Sequence, residues 1–355
     1  MTSTSQSIIQ AVRLIMGLTS VQTTAPMAFL AGTEHGIARA TPTGEQWQVD
    51  QTLAGRRVRC LAVDAGAIYA GTHGDGVLRS GDGGLSWTPS GLPGAVITAL
   101  AVAPSEPGTV YAGTKPARVF VSRDGGTDWR ELRAFRRIRN RWFWASPAER
   151  PYVAYVQAIA VSPTDPRVLL VGIEAGAVVR SSDGGESFSG HRRRATRDCH
   201  GLAFHARDGR FAYEAGGLGA AVSSDAGQTW TRPKNGLDRR YCWAVAADPA
   251  QPDLWYVSAA PGPIKAHRGH DAQAVIFRSR ANQPWEKLAG GLPQPLASMP
   301  YALVAPAPNE LYAALANDEI WHSTNAGDTW TQLPLTLKHD RGAIVALAEH
   351  RASGD

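Results

Sequence analysis

The chain has 355 residues, 43% of them hydrophobic, enough for a large core, and no stretch is long and apolar enough to span a membrane as a helix. A net charge of +5, with 31 acidic residues spread along the chain, ranks nucleic acid below other anionic partners. Three cysteines without metal-type spacing, Cys60, Cys199 and Cys242, read as small buried thiols in a reducing, cytoplasmic setting, with a Cys199–Cys242 bond as the alternative.

Residues 1–26 read as an N-terminal extension. Within it, 8–18 is mildly apolar but interrupted by Arg13, which favours a short helix over a signal peptide. From 27 to 350 short β-rich runs take over, and 351–355 read as a disordered tail. Apolar runs stopped by proline (97–104, 157–163) come first in each unit. Runs ending in Gly-Thr (68–72, 110–114) follow, and then short strands such as 118–122 and 177–181. With one more strand behind the turn, each unit has four.

The turn is an octet that recurs five times, at 80–87, 122–129, 181–188, 223–230 and 323–330, in the frame Ser-x-Asp-x-Gly-x-Ser/Thr-Trp. Its Asp (Asp82, Asp124, Asp183, Asp225, replaced by Asn325 in the last copy) can accept backbone N–H groups two or so residues on. The Gly supplies positive φ, and the aromatic packs on a neighbouring strand. These carboxylates are therefore structural. The closing aromatics Trp47, Trp87, Trp129, Phe188, Trp230, Trp285 and Trp330 are spaced 40 to 45 residues apart, with two longer intervals, so seven units follow.

The predicted fold is an all-β, seven-bladed β-propeller. The first unit, opening at 27–33, lacks an inner strand. A matching apolar run at 343–348 is expected to supply it and close the ring. The octets resemble the Asp-box (BNR) repeat of sialidases, sortilin-type receptors, xyloglucan-hydrolysing enzymes and the photosystem II assembly factor family. That resemblance implies a propeller used either for hydrolysis or for binding. The assembly-factor relatives are seven-bladed and bind protein through an Arg-rich patch. The early Arg-Ile-Pro signature of sialidases is absent here.

Arginines cluster in three links between successive blades. The first holds Arg133, Arg136, Arg137, Arg139 and Arg141, followed by Trp142, Phe143 and Trp144. The second holds Arg192, Arg193, Arg194 and Arg197, and the third Arg239 and Arg240 before Tyr241. Such links cross a single face of a propeller, so eleven arginines should gather on one sector of an upper face, together with the loop 261–271. The turns should lie on the opposite rim. Like charges so gathered call for an anionic small molecule, an acidic glycan or an acidic protein surface. Trp142 and Trp144 would either stack on a ligand or pin the long insertion in place.

Aligned inner strands place Arg59, Thr98, Gln157, His200 and Trp243 around the axial mouth, where Glu174 and Glu214 of the middle loops should also face. Two enzyme readings compete with binding. Glu174 and Glu214 could flank a glycosidic bond. Alternatively His200, His267, His270 and His339 could hold a divalent or transition metal for a lyase or oxidoreductase. No other cofactor is called for, and a monomer is expected.

Overall fold

The computed structural model describes residues 27–351, apart from 45, 65, 140, 148–149, 282, 336 and 338–342. The expected N-terminal helix, the residues 352–355 and His339 lie outside the described residues.

Seven antiparallel sheets stand around a central axis, in agreement with the seven closing aromatics. From the axis outward, blade one comprises Ala346–Arg351, Met27–Thr33, Gly36–Thr43 and Gln46–Thr52. The inner strands of blades two to seven are Val58–Asp64, Val96–Val102, Val156–Val161, Cys199–Phe204, Tyr241–Ala247 and Pro300–Val304. Blades four and five are three-stranded. Their fourth position is reduced to single contacts such as the Val222–Thr231 bridge.

The ring closes where the first and last strands pair, with Met27 opposite Arg351 and Leu30 opposite Ala348. The closing strand thus runs later than 343–348 and takes in Arg351, which had been assigned to the tail. This pairing removes the two open edges that a linear array would expose.

Second strands such as Ala67–Thr72 and Leu169–Ile173 are buried along their whole length, because each is covered by neighbouring blades on both faces. Small residues make this close approach tolerable. A Cβ on Gly113 would lie 2.4 Å from Cγ1 of Val156 in the next blade.

The octets form the expected turns. Ser80 donates to Asp82 Oδ1 at 2.7 Å and accepts the Gly84 N–H at 2.8 Å, while Asp82 accepts from the Leu85 and Ser86 N–H groups at 3.0 and 2.9 Å. Gly84 has φ of +89°, and a Cβ there would meet Leu30 of the preceding blade at 2.4 Å. Asp183 and Asp225 repeat this pattern with Ser187 and Thr229. At Asp124 the partner is the Asp128 N–H. Asn325 accepts the Thr329 N–H and donates its own amide to Thr329 Oγ1, both at 2.9 Å.

The turns stack on the loops that join first to second strands, as where Gly125 N–H donates to the Gly108 carbonyl at 2.9 Å. Links between blades instead meet the middle loops, as where Glu174 N–H donates to the Tyr155 carbonyl at 3.2 Å. The two faces are therefore built from different parts of each blade.

Cys60, Cys199 and Cys242 are free thiols, so the alternative disulfide is not formed. Burial pushes the Cys60 thiol up to about 12 and raises the other two as well.

Candidate functional site

Six of the seven inner strands lose register near the mouth. The breaks fall between Val58 and Cys60, Ile97 and Ala99, Val156 and Ala158, Cys199 and Gly201, Cys242 and Val245, and Pro300 and Ala302. Each is a β-bulge, in which the extra residue leaves the ladder and is re-aimed. The extra residues are Arg59, Thr98, Gln157, His200, Trp243 (with Ala244) and Tyr301, and all line the channel beneath the mouth. Five of them match the expected ring. Tyr301 is the sixth, and the same strand alignment could have found it.

The mouth itself is a cavity of about 410 Å³, lined by Arg57, Arg59, Tyr155, Gln157, Trp243, His267 and Tyr301, among others. Arg59 Nη1 lies 3.3 Å from His73 Nδ1, and Thr98 donates to the Val156 carbonyl at 2.6 Å. Both nitrogens of His267 are engaged, Nε2 with the Tyr241 hydroxyl at 2.9 Å and Nδ1 with the Tyr301 hydroxyl at 2.7 Å. His270 is exposed and joins no metal-like group among the described residues. Among the described residues, His200, His267 and His270 are therefore not assembled into one set of ligands.

A different group is. Glu174 follows the second strand of blade four, and Asp198 and His200 bracket the start of blade five. His200 Nε2 lies 3.5 Å from Asp198 Oδ2 and 3.6 Å from Glu174 Oε2. Its Nδ1 meets the Cys242 carbonyl at 2.7 Å, so that nitrogen carries the proton. The ring stacks on Trp243 at 4.6 Å and packs on Tyr241 at 4.8 Å. His200 and Glu174 are buried, whereas the Asp198 side chain is 32% exposed.

Burial pushes the Glu174 carboxyl up to about 7; the charge of His200 opposes this and that of Asp198 adds to it. For Asp198, burial raises the pKa, but His200 and the Ala175 N–H outweigh it and leave a net lowering. Burial also acts to lower the His200 pKa, and the two carboxylates together with the Cys242 carbonyl reverse that into a net rise.

Glu214 is elsewhere. It lies inside the strand Ala212–Gly216 rather than in a middle loop, and it is fully buried. Its carboxylate accepts the N–H and hydroxyl of Thr196, which ties down the link to blade five. Glu214 is thus enclosed within blade five and is not among the residues that line the mouth, where its expected role in a hydrolytic pair with Glu174 would need it.

The arginines do not make one plateau. Arg192 donates to the Gln228 carbonyl at 3.1 and 2.6 Å, Arg141 to the Arg136 carbonyl at 3.1 Å, and Arg239 to the Gln273 carbonyl at 2.8 Å. Arg136 pairs with Glu131 at 3.8 Å. Arg137 lines a flank cleft with Arg133 and with Gly185 and Glu186 of the blade-four turn. Arg192 and Arg239 thus bond the blade that follows their link, whereas Arg136 and Arg141 are engaged within or next to their own link.

A smaller group remains together. Arg139 and Arg197 face a cleft of about 580 Å³ with Phe143, Trp144 and His191, and Arg194 and Arg197 line the adjoining one with Arg232 and Lys234. Arg139, Arg193, Arg194, Arg197 and Arg240 enter no ion pair among the described residues. Burial, then the charges of Arg197, Arg232 and Arg192, lower the His191 pKa to about 4. Trp144 packs on Phe135 at 5.8 Å and pins the insertion, whereas Trp142 and Phe143 are 73% and 74% exposed.

No protein-family model matches the chain, and no curated protein does. Solved structures do. A GH74 xyloglucanase from Xanthomonas campestris is 19% identical with a TM-score of 0.65, over 86% of this chain and 52% of that one. An ancestral GH74 enzyme is 15% identical with a TM-score of 0.59, over 93% of this chain and 40% of that one. YCF48 bound to D1 peptide is 15% identical with a TM-score of 0.57, over 85% of this chain and 94% of that one. The chain thus spans about half the length of the GH74 enzymes it matches. At these identities the likeness is one of fold: hydrolases and binding proteins share this propeller.

Proposed function

We propose that this propeller is a binding module that takes an acidic protein segment against the links above blades three to five. The observation that carries this reading is the exposed Trp142–Phe143 pair at the edge of the adjoining clefts lined by Arg139, Arg194 and Arg197, none of which has a carboxylate partner among the described residues. Exposed aromatic side chains beside arginine are the composition of an interface centre, and unpaired guanidinium groups fix the sign of the partner. A small anion would satisfy the charge but would leave both aromatic rings in water. YCF48, a propeller of similar size, is seen bound to a peptide, which supports this reading.

The test uses the full chain and a labelled peptide with six glutamates around one tryptophan. Binding is expected at low salt, to weaken as salt rises, and to fall at least about tenfold in Arg139→Ala/Arg197→Ala with an unchanged melting temperature. Equal binding of a lysine peptide, or of the glutamate peptide to the double variant, overturns the reading.

A further inference from the structure

We propose that Glu174, Asp198 and His200 form a binding site for one divalent transition-metal ion, at the wall of the mouth between blades four and five. Their ligand atoms lie within 4.8 Å of one another. Donors held about 2.0–2.2 Å from a common ion stand roughly 3.4 Å apart, close to the 3.5 and 3.6 Å from His200 Nε2 to the two carboxylates.

Three further observations point to a ligand. His200 Nε2 and Glu174 Oε2 are both buried, and among the described residues neither has a hydrogen-bond partner nearer than the 3.5 and 3.6 Å contacts within the group itself. Their residues are only 4% and 7% exposed, so water does not freely compensate them. The Nδ1–H of His200 is held by the Cys242 carbonyl, the outer-sphere contact that fixes which nitrogen faces a metal.

A neutral imidazole would present its lone pair to two carboxylate groups, an arrangement relieved by a cation between them. One imidazole and two carboxylates suit Zn²⁺, Mn²⁺ or Fe²⁺ better than a thiolate-seeking ion or an all-oxygen one. The partly exposed Asp198 leaves an entry path, and positions not filled by protein would be open to water or to an oxygen of a bound ligand. The site is distinct from the arginine cleft and can be tested without it.

Full-length protein is stripped with a chelator, and Zn²⁺ and Mn²⁺ are titrated in by calorimetry, with bound metal measured after desalting. One equivalent is expected, with a melting temperature that climbs with ion concentration. Asp198→Asn keeps an acceptor for the Ala175 N–H on a partly exposed side chain. It is expected to fold and to weaken binding by more than the roughly 10–100-fold typical of outer-sphere changes. Glu174→Gln should do the same, and His270→Ala should change nothing. Loading with Co²⁺ should give visible absorption that Asp198→Asn abolishes. Absence of a stoichiometric ion, or full affinity in folded Asp198→Asn, overturns the proposal and leaves a proton shared among the three groups.

Discussion

Arg180 of blade four donates through Nε to the carbonyl of Ala226, in the turn of blade five, at 2.8 Å. Arg39 makes the same bond to Gly83 at 2.8 Å, and Arg278 donates to Ala326 at 2.7 Å while pairing with Glu286 and Asp328. In three of the seven blades a third-strand arginine thus clamps the next blade's turn. Arg278→Ala should destabilise the protein by about 2 kcal/mol, because it strips donors from a buried carbonyl. Thermal unfolding checks this; an unchanged midpoint would show that the clamp contributes nothing.

Within the octet, Asp82→Ala should cost about 1–2 kcal/mol, since four backbone or hydroxyl donors lose their acceptor. Asp82→Asn should cost less, because Asn325 already builds the same turn with its carbonyl oxygen. Equal losses for the two variants in chemical denaturation would contradict this account.

Closure is testable by deletion. Removing residues 345–355 takes away the whole strand paired with Met27–Thr33 on its axial side, together with the Val345 N–H that donates to the Gly32 carbonyl, and exposes an apolar edge. The truncated chain should aggregate or melt well below the intact one. A soluble monomer of unchanged melting temperature would mean that the latch is dispensable.

Glu214 gives a pH dependence with a definite sign. Burial, against the opposing Thr196 hydrogen bonds, lifts its carboxyl from 4.5 to about 7, so the folded protein holds a proton that the unfolded chain releases. The resulting stability is fully present below the ordinary value and is lost as pH rises through 7, by about 3 kcal/mol at most. Glu214→Gln should flatten this slope in part, because Glu174 titrates in the same window. Denaturation from pH 4.5 to 8 reads it directly, and identical slopes would refute it.

His191 reports on the arginine cleft. Arg197→Ala should raise its pKa from about 4, and so should a bound acidic peptide, because either change reduces the positive charge around it. An NMR titration of the ring protons that showed no movement would argue that the cleft is electrostatically inert.

The blade count and the position of the turns were legible because the octet's residues satisfy one another within eight positions. The bulged ring was legible in part: five strands shared an apolar core that could be aligned, and Tyr301 stands at the matching place in 300–304. Asp198 was not, since it becomes a site residue only when its link folds against the middle loop of blade four. Glu214 misled because a carboxylate reads as exposed until its partner Thr196, eighteen residues earlier, is placed beside it. The arginine plateau failed for a related reason: a long guanidinium side chain reaches whichever carbonyl is nearest, often in the adjoining blade.

The bulges have a consequence for how such a ring can change. Arg59, Thr98, Gln157, His200, Trp243 and Tyr301 occupy places that the interstrand ladder does not require; Thr98 and His200 are nonetheless tied to carbonyls of the next blade, whereas the identities of the other four escape the constraint that keeps each blade's neighbours small and apolar. Exchange at Arg59, Gln157, Trp243 and Tyr301 should alter what the opening recognises while leaving the scaffold's cohesion largely intact, which makes them the natural starting set for redirecting it.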